Sequence, residues 1–271
     1  PYRFGLIGSS DTHTGAISQA EETFFSKAGM LDGTAELRGS IPVSVFYGTA
    51  QRFMDPGLLK EVEGRTYMAS SSFEYWSASG LAGAWAEENT REAIYDAFRR
   101  RETFATSGPR IRLRFFAGFG LPQNLDDPLL ATAAYAGGVP MGAALNADDD
   151  SEPAFLVWAV GDALGAPLQR AQVIKGWLEH GEHREQVYDV ACSDGLAVDP
   201  RTHRCPDNGA GVNLADCSIS GEVGARELKT LWRDPDFDPR REAFYYVRVL
   251  ENPVCRWSTW DAVRAGVTPR P

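Results

Sequence analysis

The sequence predicts a mixed α/β segment followed by a β-rich domain. Three observations carry this. Apolar runs near the start are interleaved with helical spacing, a strongly amphipathic helix stands at residues 89–102, and the later candidates are almost all strands. The change of character places a boundary near residue 109, giving segments 1–108 and 109–271.

In order, "RFGLIG" reads as a short buried strand, and "SQAEETFFSKAGML" has helical spacing through Ala20, Phe24 and Phe25. "IPVSVFYG" is the next apolar-rich run, β-branched and aromatic, followed by the turn-rich "SSSFEYWSASGLAGAW". In "NTREAIYDAFRRRE", Asn89 precedes Glu92 at the spacing of a capping box. Ala93, Ile94, Ala97 and Phe98 make one apolar face, Asp96 can pair with Arg100, and Arg99 to Arg101 suit a helix C-terminus. Ser107-Gly108-Pro109 is a turn, and "RIRLRFF" alternates with the period of a half-buried strand. "AFLVWAV", "AQVIKGWLE", "EQVYDVA" and "AFYYVRVLE" are further strands, the middle pair joined through "HGEH" as a hairpin. The acidic "NADDDSE" reads as a solvated loop.

The chain has 271 residues, 43% hydrophobic and 24% charged, the balance of a globular protein with one large domain or two modest ones. A net charge of −10 repels phosphate backbones, so nucleic acid is not an expected partner. No apolar run is long enough for a membrane span. The opening "PYRFGLIG" lacks Met and is already strand-like, as in a piece of a longer protein whose N-terminal part is missing. Cys192, Cys205, Cys217 and Cys255 form no C-x-x-C pair, and three of them punctuate a long irregular stretch. Their even number and that context predict disulfides and a periplasmic or secreted location; free thiols in a cytoplasmic protein are the alternative.

"GLIGSSDTHTG" is the candidate site. On a continuing strand, Asp11 and His13 share a face, and a carboxylate with an imidazole suits Zn, Mn or Fe. The alternative is a polar turn. With four histidines in the sequence, and His180, His183 and His203 placed elsewhere, the remaining ligands would come from outside it. Other motifs fail. "DPDFDP" has Pro239 and Tyr245 where a calcium loop needs Gly and Glu, and no Walker A loop, nucleophile elbow or dinucleotide fingerprint occurs. A Ser10–His13 nucleophile pair lacks an orienting acid beyond Asp11. Glu87 and Glu88 precede a helix, where carboxylates are favoured anyway. Trp177, Trp232, Trp257 and Trp260 are sugar-face candidates or core residues.

"GLIGSSDTHTG", "SGLAGAWAEENTREAIYDAFRRRETFATSGPRIRLRFF", "VIKGWLEHGEHREQVYDVACSDG" and "FYYVRVLENPVCRWSTWDA" together resemble the C-terminal half of domain-of-unknown-function family 3604, within the polymerase-and-histidinol-phosphatase (PHP) metallohydrolases. Carbaryl hydrolase and its relatives resemble the chain more distantly. The resemblance implies the C-terminal part of a distorted (β/α)7 barrel with a divalent metal cluster, followed by a sandwich-like β domain. It matches only the late D-x-H motif, at Asp11 and His13, as metal ligands and catalytic groups; the early H-x-H motif is missing. The implied reaction is attack of metal-bound hydroxide on a phosphoester, carbamate or amide of a small-molecule substrate. Ser10 and Arg110, the latter after the "TSGP" turn, are expected to bind that substrate. The rival expectation is a non-catalytic β-sandwich binding or structural module with a vestigial metal motif.

Overall fold

A computed structural model describes residues 3–146 and 151–271. Most of the acidic "NADDDSE" stretch lies outside the described residues. The chain mixes helices and antiparallel sheets. Among the described residues there is no closed barrel, and no helix is long and apolar enough to cross a membrane.

The first region departs from its predicted elements. "RFGLIG" forms no strand: it lies beside a later two-stranded antiparallel pair through two isolated bonds, Gly8 N to Leu81 O (3.1 Å) and Gly80 N to Ser9 O (3.3 Å). A Cβ on Gly8 would stand 2.6 Å from the carbonyl oxygens of both Leu81 and Thr106, so only glycine fits that crossing. The expected helix over "SQAEETFFSKAGML" is reduced to 3-10 turns at Glu21–Thr23 and Gly29–Leu31. The reason is local. Asp32 accepts from Lys27 N (2.7 Å) and Ala28 N (2.9 Å), and Ser26 Oγ from Gly29 N (2.7 Å), capturing amides a helix would need. The β-branched, aromatic "IPVSVFYG" runs into helix α1 (Val45–Met54), because Ser44 Oγ caps it by accepting from Tyr47 N at 3.2 Å.

Then follow the hairpin β1 (Leu59–Val62) and β2 (Arg65–Met68), the short α2 (Ser71–Tyr75), and β3 (Leu81–Ala84). Helix α3 (Arg91–Arg100) forms as expected, but its cap is Thr90, whose Oγ1 accepts from Ala93 N, rather than Asn89. Arg100 turns away from Asp96 toward Glu102 and Trp85 O. Strand β4 (Thr103–Thr106) pairs antiparallel with β3.

The second region is two facing sheets. One joins β10 (Glu227–Arg233), β7 (Ala154–Val160), β5 (Arg112–Gly118) and the two-residue β6 (Val139–Pro140). The other joins β11 (Ala243–Glu251), β8 (Leu168–Glu179) and β9 (Glu182–Cys192). Phe115, Phe155 and Val157 from the first sheet pack with Ala171, Val173 and Tyr188 from the second. The opposite face of the first sheet, with Phe116 and Leu156, packs against Leu130 and Ala134 of α4 (Leu130–Gly137). Burial on both faces explains why "AFLVWAV" is apolar without alternation. "HGEH" makes the expected hairpin: His180 and Gly181 form its turn with φ 51° and 85°.

Polar residues are buried in pairs. Lys175 Nζ donates to Asp234 (2.5 Å), which also accepts from Tyr245 OH (2.7 Å), while Tyr188 OH donates to Asp236 (2.6 Å). "DPDFDP" thus anchors a lysine and two tyrosines. Burial and these carboxylates push both tyrosines well above their ordinary pKa. Trp257 and Trp232 are core residues, against Phe24 and Phe155 respectively. At the end of β11, burial foremost, and then the charge of Asp162, raises Glu251 to about 7; its Oε1 is buried without a partner.

Both disulfides form: Cys192–Cys205 and Cys217–Cys255. They pin the irregular 193–226 stretch, helped by Asp194, which accepts from Gly224 N at 2.8 Å. After Cys255 comes α5 (Trp257–Ala265), which belongs by sequence to the second segment yet packs onto the first. Asp261 takes a bidentate pair from buried Arg38 (2.9 Å at each Oδ from Nη2) and a bond from Ser40 Oγ (2.7 Å). Trp257 Nε1 donates to Trp76 O (2.9 Å), and the Glu21 carboxylate accepts from both Ala78 N and Trp257 N.

Candidate functional site

The Asp11–His13 loop hangs from the Gly8 crossing. Ser10 Oγ accepts from Thr12 N (3.0 Å), closing a tight turn, and Asp11 takes left-handed backbone at φ 54°. The two side chains therefore do not share a strand face. They converge through the turn, with Asp11 Oδ1 and His13 Nε2 at 3.5 Å.

A third residue completes the cluster. His13 N donates to Lys27 O (2.8 Å), and Lys27 Nζ lies 3.4 Å from Asp11 Oδ2. The bond from Lys27 first, then its charge and that of His13, hold the Asp11 carboxyl below the usual range. Lys27 also sits over Trp76, 5.0 Å from the ring centroid, and its backbone is fixed by Asp32. A cavity of about 90 Å³ opens beside this group, lined by Ser9, Ser10, Lys27, Trp76 and Ser77.

Asp11 and His13 are exposed at 80% and 66%, so both are open to an ion from solvent. As donors they suit a divalent cation, but they are two where a catalytic site takes three or more. Among the described residues no further His, Cys, Asp or Glu joins them. One Asp11 oxygen, moreover, faces an ammonium. The pair fits part of a metal site and does not complete one.

Of the other expected site residues, Ser10 borders the cavity. Arg110 is exposed, and its backbone N donates to Asp162 (2.7 Å). The four cysteines are structural. Sequence reading missed Lys27 and Trp76, since nothing local in "FSKAG" or "EYWSA" marks them; only the folding of the 18–32 turns brings them to Asp11.

Residues 1–271 match a family model described as "Protein of unknown function (DUF3604)". No curated protein and no solved structure matches the chain.

Proposed function

The chain belongs to the DUF3604 family, and on that premise we propose that it is part of a divalent-metal-dependent hydrolase of PHP type, acting on a phosphoester, carbamate or amide. The observation that carries the reading is the approach of Asp11 Oδ1 to His13 Nε2, 3.5 Å apart and open to solvent. These two residues would hold Zn, Mn or Fe together with further ligands that the described residues do not supply. Bound there, the ion supplies Lewis acidity and an activated water.

The chain's own groups have definite tasks. Lys27 keeps Asp11 ionised and so competent as a ligand, and its ammonium borders the cavity where an anionic substrate group would lie. Ser10 offers a hydroxyl at the same wall. Exposed Phe4, Ile7, Val45, Phe46 and Phe53 support the reading, because apolar surface of this extent suits a further element packed against it. The two disulfides support a periplasmic or secreted location.

The Lys27–Asp11 contact favours a second reading, a binding or structural module whose ligand pair is neutralised. Metal content and hydrolysis of p-nitrophenyl phosphate, a naphthyl carbamate and an anilide, measured on the protein at full length, separate the two. Asp11→Ala with His13→Ala should abolish both bound metal and hydrolysis. Unchanged metal and turnover in that variant would overturn the hydrolase reading.

A further inference from the structure

A second, larger cleft of about 510 Å³ lies where α3 and β4 meet β5 and α4, far larger than the space beside Lys27 and within the size range of small-molecule sites. Its walls include Trp85, Arg100, Glu102, Arg114 and Tyr135, with the exposed Glu87 at the rim.

Its arginines are held but not used up. The Arg114 guanidinium lies 3.5 Å over the Trp85 ring and 5.9 Å from that of Tyr135. Trp85 is itself locked by Nε1 donating to Leu113 O (2.7 Å), and Tyr135 by an edge-on contact with Phe116. Among the described residues Arg114 spends one N–H, on Tyr135 OH at 3.3 Å. Arg100 there makes two long bonds, both 3.4 Å and both from Nη2, to Trp85 O and Glu102 Oε2.

Glu102 is the internal counter-charge, and it is already occupied. Its carboxylate is 3% exposed, with Oε1 accepting from Tyr135 OH and Oε2 from Arg100. The cleft thus presents more oriented donors than acceptors. A guanidinium carries five N–H groups in a rigid fork that matches a planar oxyanion. A structural stack alone would not require the fork to border a cavity of this volume.

We propose that this cleft binds a small organic oxyanion, its carboxylate, phosphate or sulfate group held by Arg114 and Arg100 and its body filling the space between the two regions of the chain. The site is separate from Asp11 and His13 and needs no metal. Fixing Arg114 between two rings in advance lowers the ordering cost of binding.

Calorimetric titration of the full chain with benzoate, phenyl phosphate and phenyl sulfate, against neutral benzyl alcohol, tests it. At least one anion should bind saturably and more weakly as salt rises, while the alcohol does not bind. Arg114→Met should weaken that binding about tenfold or more. Arg100→Gln, at a half-exposed position and still able to donate to Glu102, should weaken it in the same direction even if the first variant fails to fold. The three anions rank carboxylate against phosphate against sulfate. Absence of saturable binding by all three, equal binding of the alcohol, or unchanged affinity in Arg100→Gln would overturn the proposal.

Discussion

The two regions bury their apolar residues to opposite degrees. In the paired sheets Leu156, Val157, Val173 and Ile174 are wholly buried, whereas in the first region Met30, Phe46 and Phe53 are 93%, 86% and 88% exposed. The sheets close their own core from both sides and fasten their one long irregular stretch with disulfides. The first region has few such contacts. It is held by polar bonds to α5, foremost the Arg38–Asp261 pair. A chain can thus contain one region stabilised by its own packing and another stabilised by a brace.

The largest test of that contrast is Asp261→Ala. Removing one partner of a buried ion pair costs about 3–5 kcal/mol, and urea unfolding should show the loss in the first region while the sheets keep their transition. A single shared transition shifted as a whole would break the comparison.

A smaller effect belongs to the sheets alone. Glu251 is raised from 4.5 to about 7, so the folded state holds its proton more tightly than the unfolded chain does. The stability this confers is complete below pH 4.5 and is lost as pH rises through about 7. Thermal melts across that window should fall with rising pH, and Glu251→Gln should flatten them.

The smallest effect is the most discriminating. Phe46→Ser, at an exposed position, should change stability in urea unfolding by about 0.5 kcal/mol or less. A loss near the ~3–5 kcal/mol of a buried phenylalanine would mean the first region is packed after all.

Legibility followed the same divide. The strands at 112–118, 154–160, 168–192 and 243–251 announce themselves because burial on a pleated sheet writes a local pattern. Strand β10, "ELKTLWR", and the alanine-rich α4 were missed for want of one. In the first region single side chains decided the outcome: Ser44 starts α1 inside a β-branched, aromatic run, and Ser26 with Asp32 dismantled an expected helix. Asp11 and His13 were legible as residue types, but the geometry that joins them is a left-handed turn. Lys27 and Trp76 were invisible, since their relation to Asp11 exists only after folding.

The attachment of α5 also sets an order of events. Its partners Glu21, Arg38 and Trp76 lie 236, 223 and 181 positions earlier in the chain. The sheets draw all their strands from residues 112–251, so on a ribosome they can close before α5 is made. The first region emerges before the sheets and yet must wait for α5, which follows them, paying the loop-closure entropy of contacts so distant. Until then its apolar side chains face the solvent without their brace. Completion therefore runs against the direction of synthesis here, the first region being braced only after the sheets that follow it.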